Sequence, residues 1–166
     1  FEEVKPNLIL TVPLILEKIY KKMILPQLSK TTMKVALNIP LLDSRIYAQI
    51  RKKLVDAFGG RFREVIVGGA AMNEEVTNFL YKIKFPFTIG YGMTECGPLI
   101  SYDHNDEYVP GSCGQILKGI MKVRIDSEDP YNKVGEIQVS GENVMKGYYK
   151  NEEATSKVFT EDGWLR

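Results

Sequence analysis

Apolar residues recur along this chain in two rhythms, and the rhythm changes past its middle. Up to residue 98, short solid apolar runs alternate with longer stretches whose apolar positions return every three or four residues, as buried strands and amphipathic helices do. Residues 6–12 (Pro-Asn-Leu-Ile-Leu-Thr-Val) predict a buried strand or apolar lead-in closed by Pro13, which suits the first turn of a helix. Ile15, Ile19 and Met23 then recur, with Leu16 and Tyr20 beside them and Lys18, Lys21 and Lys22 among them, and Pro26 is expected to end that helix. A basic amphipathic helix can lie on a membrane surface. Its few lysines and ordinary apolar face favour packing against the protein. Residues 27–42 are weakly patterned and predict a loop with a short helical turn. Asp43 or Ser44 can cap the next helix. Its face is Tyr47, Ile50, Leu54 and Ala57 flanked by Ile46 and Phe58, with Arg51, Lys52, Lys53 and Asp56 opposite. Gly59-Gly60 supplies a left-handed stop.

Val65-Ile66-Val67 predicts a fully apolar strand running into Gly68-Gly69-Ala70-Ala71. Asn73 can cap the helix that follows, Glu74 and Glu75 suit the positive end of its dipole, and Val76, Phe79, Leu80 and Ile83 form its apolar face. Phe85-Pro86-Phe87-Thr88-Ile89 is the next strand. Strand, crossover helix and strand make a βαβ unit with a parallel sheet, and ligands collect at the carboxyl ends of such strands. Segments 68–71 and 90–97 fall at those ends, where they would face one site. After Pro98 the pattern changes. Residues 99–110 form a polar loop; Met121, Val123 and Ile125 alternate with Lys122, Arg124 and Asp126; Asp129-Pro130 turns; Ile137 and Val139 alternate with Glu136, Gln138 and Ser140. The organisation predicted is an α/β part over 1–98 and an antiparallel, β-rich part over 99–166.

Composition narrows the classes. With 166 residues, 44% hydrophobic and 26% charged, the chain can bury a core, and a net charge of +1 gives no support for a nucleic-acid surface. Two cysteines, Cys96 and Cys113, match neither a disulfide framework nor a metal spacing, so a reducing, cytoplasmic setting is expected. The apolar stretch Leu8 to Leu16, broken by Thr11 and Pro13, is too short to span a bilayer. His104, the single histidine, lies in an acidic loop without a nucleophile motif and is expected to be a solvated surface residue rather than a triad member. Asp103, Asp106 and Glu107 fit no cation loop. Cys96 has no basic sequence neighbour to activate it. Tyr148-Tyr149 is expected in core or hinge packing. A start at Phe1 without methionine and an end at Gly163-Trp164-Leu165-Arg166 suggest a piece of a longer protein.

The chemistry concentrates in Tyr91-Gly92-Met93-Thr94-Glu95-Cys96-Gly97-Pro98, which sets an aromatic ring, a hydroxyl and a carboxylate among Gly90, Gly92 and Gly97. An aromatic face suits a purine, a hydroxyl a phosphate oxygen, and a carboxylate the magnesium that travels with phosphates. The glycines are expected to let backbone approach a ligand closely. Taken with other blocks in order, the chain resembles the adenylate-forming enzymes: acyl-CoA synthetases, luciferase-like enzymes and peptide-synthetase adenylation domains. Those blocks are Gly68-Gly69-Ala70-Ala71, Tyr91-Gly92-Met93-Thr94-Glu95, Gly111-Ser112-Cys113-Gly114, Gly135-Glu136-Ile137 through Gly141, Val144 through Tyr149, and Asp162-Gly163-Trp164-Leu165-Arg166. Val12-Pro13 followed by Glu17-Lys18-Ile19-Tyr20 is similar to bacterial long-chain fatty acid–CoA ligases.

The resemblance implies an α/β fold, part of a large N-terminal domain, with a partly parallel sheet and helices followed by a smaller antiparallel lobe. It implies an ATP-dependent, AMP-forming acid–thiol ligase. A long-chain fatty carboxylate attacks the α-phosphate of ATP, releasing pyrophosphate, and the thiol of coenzyme A then displaces AMP. Carried over by position, Gly69, Ala70, Ala71, Gly90, Tyr91, Gly92 and Met93 line the nucleotide, Thr94 bonds a phosphate oxygen and Glu95 holds magnesium. The family's phosphate loop, ribose-binding aspartate and catalytic lysine have no counterpart within residues 1–166, so the isolated chain is expected to be inactive and to self-associate through surface that the missing parts would cover. Peripheral membrane contact is a further implication. Amino- or aryl-acid activation, or a silent nucleotide-binding scaffold, are the alternatives.

Overall fold

Three short strands, β1 (Leu8–Thr11), β2 (Glu64–Val67) and β3 (Phe87–Ile89), form a parallel sheet in the order β1-β2-β3, seen in a computed structural model that describes residues 3–166. Phe1 and Glu2, where the chain's opening was considered, lie outside the described residues. Ile9 pairs with Val65 and Val65 with Phe87, so these three share one face, where they are buried. Helix α5 (Glu74–Lys82) makes the crossover from β2 to β3. Its cap is Asn73, whose side chain accepts from the Val76 N–H at 3.2 Å, and Glu74 and Glu75 fill its first turn. Val76, Leu80 and Ile83 are buried against the sheet, with Phe79 partly buried beside them.

The first helical stretch departs from its expected form. Helix α1 (Pro13–Ile19) opens on Pro13, widens into a π turn over Tyr20–Ile24, and continues as α2 (Leu25–Leu28), in whose first turn Pro26 sits. Pro26 therefore opens a helix instead of ending one, because a first-turn position needs no N–H. The buried row is Leu16, Tyr20 and Ile24, whereas Ile15 and Met23 of the expected row are exposed. Tyr20 decides between these adjacent rows. Its hydroxyl donates to Glu75 Oε1 at 2.8 Å and its ring lies 5.2 Å from that of Phe79, fixing the helix one position around. Burial, then the Glu75 carboxylate, pushes the Tyr20 phenol up to about 12, so it stays a donor.

Helix α3 (Thr31–Ala36) precedes the long helix α4 (Leu42–Ala57). Neither Asp43 nor Ser44 caps α4. The cap position is Leu41 at φ 72°, while Asp43 accepts from the Ser44 N–H and the Ser44 hydroxyl donates to the Leu41 carbonyl. Leu54 and Phe58 are buried, Tyr47 and Ile50 partly so, and Ala57 is exposed. Gly59 and Gly60, at φ 94° and 73°, end the helix as expected.

The chain divides into two compact units: residues to Gly90 with Asp103–Cys113, and Tyr91–Tyr102 with Gly114–Arg166. It thus crosses after Gly90, Tyr102 and Cys113, where a single change at 98/99 was expected. In the second unit, β4 (Tyr91–Gly92) pairs antiparallel with β5 (Leu99–Ser101), and β6 (Met121–Asp126) with β7 (Glu136–Gly141). Helix α6 (Glu152–Val158) is capped by Asn151, which accepts from the Ala154 N–H at 3.0 Å. Its core is Cys96, Ile100, Met121, Val139 and Leu165. Leu165 exchanges two backbone hydrogen bonds with Val139, at 2.8 and 2.9 Å, so the terminal segment pairs beside β7.

Gln138, expected to face solvent, is buried. It accepts from Arg124 Nε at 2.7 Å and donates to Asp126 and Glu136. Among the described residues, no helix is long and apolar enough to cross a membrane.

Candidate functional site

Gly68 to Ala71 leave the carboxyl end of β2, and Gly90 leaves the carboxyl end of β3, both in the first unit. Gly90 N–H donates to the Val67 carbonyl at 2.9 Å and Gly68 N–H to the Thr11 carbonyl at 3.1 Å, so both loops are pinned where the parallel strands stop. Gly69 adopts φ 86°, a left-handed turn that L side chains resist. Ala70 and Ala71 are exposed. Candidate residues Gly69, Ala70, Ala71 and Gly90 therefore belong to the first unit, and Tyr91 to Glu95 to the second.

In the second unit, β4 leads into a single 3₁₀ turn, Thr94–Cys96, closed by Gly97 at φ 61°. Tyr91, Gly92, Met93 and Glu95 are half-buried and Thr94 is exposed. Gly92 answers to its own chain. A Cβ there would stand 2.0 Å from the Pro98 carbonyl oxygen, which accepts from the Met93 N–H at 2.8 Å. Gly92 therefore meets a packing requirement inside the loop itself.

Glu95 is the most constrained polar group of the turn. Its Oε1 accepts from the Tyr148 hydroxyl at 2.7 Å, and its carbonyl accepts from the Met145 N–H at 2.7 Å. The Tyr148 hydrogen bond, with a smaller backbone contribution, holds its carboxyl below the ordinary range, so it is charged at neutral pH. Asn143 Nδ2 donates to the carbonyls of Cys96 at 2.6 Å and Leu99 at 2.9 Å. Segment 143–148 thus clasps the turn. Asn143 was not singled out from sequence, and Tyr148 was expected only in core or hinge packing. They lie 44 to 53 residues from their partners, a distance at which periodicity carries no signal. Tyr149, paired with Tyr148 in the sequence reading, is 88% exposed.

Cys96 is fully buried, and burial followed by the charge of Glu95 pushes its thiol up, so it is not a thiolate nucleophile. His104 does more than meet solvent. Its Nδ1 lies 3.3 Å from Oε1 of the buried Glu64, whose Oε2 accepts from the Asn105 backbone at 3.0 Å and side chain at 3.2 Å. With Thr88 donating to the Asp103 carbonyl at 2.7 Å, residues 103–105 fold onto the sheet. No group of three or more His, Cys, Asp or Glu residues suited to a metal occurs among the described residues. Magnesium rarely uses such cages; it takes one or two carboxylates with phosphate and water oxygens. Glu95 fits that mode, with a charged carboxylate that takes the Tyr148 hydroxyl at Oε1.

A sequence model of the family described as AMP-binding enzyme matches residues 1–149. Long-chain-fatty-acid–CoA ligase 1 of Saccharomyces cerevisiae is 29% identical over 182 aligned residues, which cover 99% of the chain and 26% of that enzyme. The 4-coumarate–CoA ligase 1 of Narcissus pseudonarcissus is 34% identical over 139 residues, covering 76% of the chain and 25% of that enzyme. O-succinylbenzoate coenzyme A synthetase from Bacillus subtilis, solved in complex with ATP and magnesium, superposes with a TM-score of 0.63 at 23% identity, over 98% of the chain and 28% of that structure. The last likeness establishes a shared fold. The chain spans about a quarter of the length of these relatives.

Proposed function

The chain belongs to the AMP-binding enzyme family, and on that premise we propose that it is part of an ATP-dependent, AMP-forming ligase that joins a long-chain fatty acid to coenzyme A. The observation that carries the substrate is the alignment of the yeast long-chain-fatty-acid ligase over 99% of the chain. The observation that carries the chemistry is the charged Glu95 carboxylate, held on a tight turn beside an exposed Thr94 hydroxyl.

In this reading the Tyr91 ring stacks on adenine, worth about 1–3 kcal/mol by analogy with base–aromatic contacts. Gly92 and Met93 supply backbone along the nucleotide. The Thr94 hydroxyl donates to a phosphate oxygen, a hydrogen bond to a charged group worth about 1.5–3 kcal/mol. Glu95 holds magnesium, which when bound supplies positive charge for the phosphate oxygens. The acid's carboxylate oxygen forms a bond to the α-phosphorus as the bond to pyrophosphate breaks. The coenzyme A thiol gives up its proton to solvent as its sulfur bonds to the acyl carbon, and AMP leaves with the electron pair of the broken C–O bond.

A second reading, activation of an aryl acid, is favoured by the 34% identity to a 4-coumarate ligase. The test is ATP–pyrophosphate exchange and AMP release by the full-length protein with acetate, octanoate, palmitate and 4-coumarate. Palmitate is expected to give the largest kcat/KM. Turnover of 4-coumarate without palmitate transfers the assignment to aryl acids, and no turnover with any acid leaves a silent nucleotide-binding scaffold.

A further inference from the structure

The clasp on the 3₁₀ turn ends in a side chain that has no role in the assignment above. Tyr148 reaches back 53 residues to place its hydroxyl 2.7 Å from Glu95 Oε1. We propose that Tyr148 is a positioning residue for Glu95: it ties down Oε1 and leaves Oε2 as the oxygen offered to a nucleotide-bound divalent cation. The inference rests on the reading of Glu95 as the magnesium ligand and extends it to the group that orients the ligand.

Several features support this role. A hydrogen bond from a hydroxyl to a carboxylate is short and charge-assisted, and it fixes the plane of a group that otherwise rotates broadly about its last torsion. The backbones of the two segments are locked as well, through Met145 N–H to the Glu95 carbonyl at 2.7 Å and Asn143 Nδ2 to the Cys96 and Leu99 carbonyls. Tyr148 is itself held: its N–H donates to Thr155 Oγ1 at 2.9 Å, and Thr155 donates on to the Asn151 carbonyl at 2.8 Å. Gly147, at φ 145°, lets the chain pass Thr155, where a Cβ would come within 2.7 Å of Cγ2. Hydrogen bonds thus link the start of α6 through Thr155 and Tyr148 to Glu95. Tyr148 is 37% exposed. Its hydroxyl carries the contact to Glu95. Magnesium demands near-ideal octahedral geometry, so a carboxylate free to swing is a poorer ligand than one held.

The experiment uses the full-length protein with Tyr148→Phe, Glu95→Gln, the double variant, and Tyr149→Phe as a neighbouring control. Mn²⁺ binding in the presence of a non-hydrolysable ATP analogue is measured by electron paramagnetic resonance. Divalent half-saturation, kcat and the acid's KM are measured by pyrophosphate exchange. Tyr148→Phe should raise the Mn²⁺ dissociation constant and half-saturation concentration about tenfold, as loss of a partner that orients a metal ligand does. The acid's KM and the thermal midpoint should stay at parent values. Added to Glu95→Gln, it should change nothing further, and Tyr149→Phe should behave as parent. Unchanged Mn²⁺ binding in Tyr148→Phe overturns the positioning role while leaving the ligase reading intact. So does an equal loss with and without Glu95, or a loss that follows the thermal midpoint. A parent that binds no nucleotide and exchanges no pyrophosphate overturns the ligase reading, and this inference with it.

Discussion

Gly92 has protein backbone where a side chain would stand, and that fact separates two explanations of a glycine in a ligand loop. The clash partner is the Pro98 carbonyl oxygen, 2.0 Å from an added Cβ, with the carbonyl carbon at 2.9 Å. Neither is the far end of a flexible chain, so relief requires moving β4 away from β5. Gly92→Ala is expected to cost roughly 1–3 kcal/mol, in the range of overpacked cores, and to lower the thermal midpoint by several degrees. Had the glycine served only ligand approach, the same variant would keep its midpoint and lose nucleotide affinity. Calorimetric melting without nucleotide decides between them. The Tyr91 to Gly97 string stood out as a candidate ligand loop because ring, hydroxyl, carboxylate and glycines sit within seven residues. The reason for Gly92 was not legible, since it depends on which backbone folds back over the position.

Between elements, side chains far apart in sequence decide packing that periodicity leaves open. The βαβ unit was readable because Val65 to Val67 is apolar without interruption and Asn73-Glu74-Glu75 marks one helix start without a rival. Helix α1 was not. Leu16, Tyr20 and Ile24 repeat with the same spacing as Ile15, Ile19 and Met23, and the contacts of Tyr20 with Glu75 and Phe79 break the tie. Gln138 was misread for a similar reason, since an alternating strand cannot reveal that Arg124 and two carboxylates satisfy its amide. The same Arg124 joins β6 to the terminal segment. It makes a bidentate pair with Asp162 at 2.6 and 3.0 Å and lies 4.5 Å from the Trp164 ring centroid. Hydrogen bonds from Arg124 first, then Thr160, hold the Asp162 carboxyl well below the usual carboxylate range. A depressed folded value means the unfolded chain takes up the proton first, so the pair's stabilisation is present above the unfolded pKa of about 3.9. It is lost as pH falls from there toward the folded value. Asp162→Asn should therefore be less stable than parent at neutral pH, with the gap closing below about pH 4 and narrowing in high salt. Urea unfolding at a series of pH values measures it. A gap that persists unchanged into acid would remove the ion pair as its cause.

At the scale of the molecule, each unit owns a separate buried core, and the two cores differ in size. Among the described residues, fifteen buried side chains, Ile9 to Tyr108, cluster in the first, and five, Cys96, Ile100, Met121, Val139 and Leu165, in the second. The spectroscopic probes divide in the same way. Trp164 is the single tryptophan and belongs to the second unit, while α1 to α5 lie in the first and only α6 in the second. Indole fluorescence therefore follows the small core, and circular dichroism at the helical band follows chiefly the large one. A core of five residues gains less from apolar burial than one of fifteen, by the proportionality of that effect to area. The fluorescence midpoint in urea is expected to fall below the dichroism midpoint, because a chain built on two cores departs from a single all-or-none transition. The slope of the fluorescence transition should also be the shallower, since it exposes less surface. Coincident midpoints and slopes from both probes would mean that the two cores unfold as one cooperative unit.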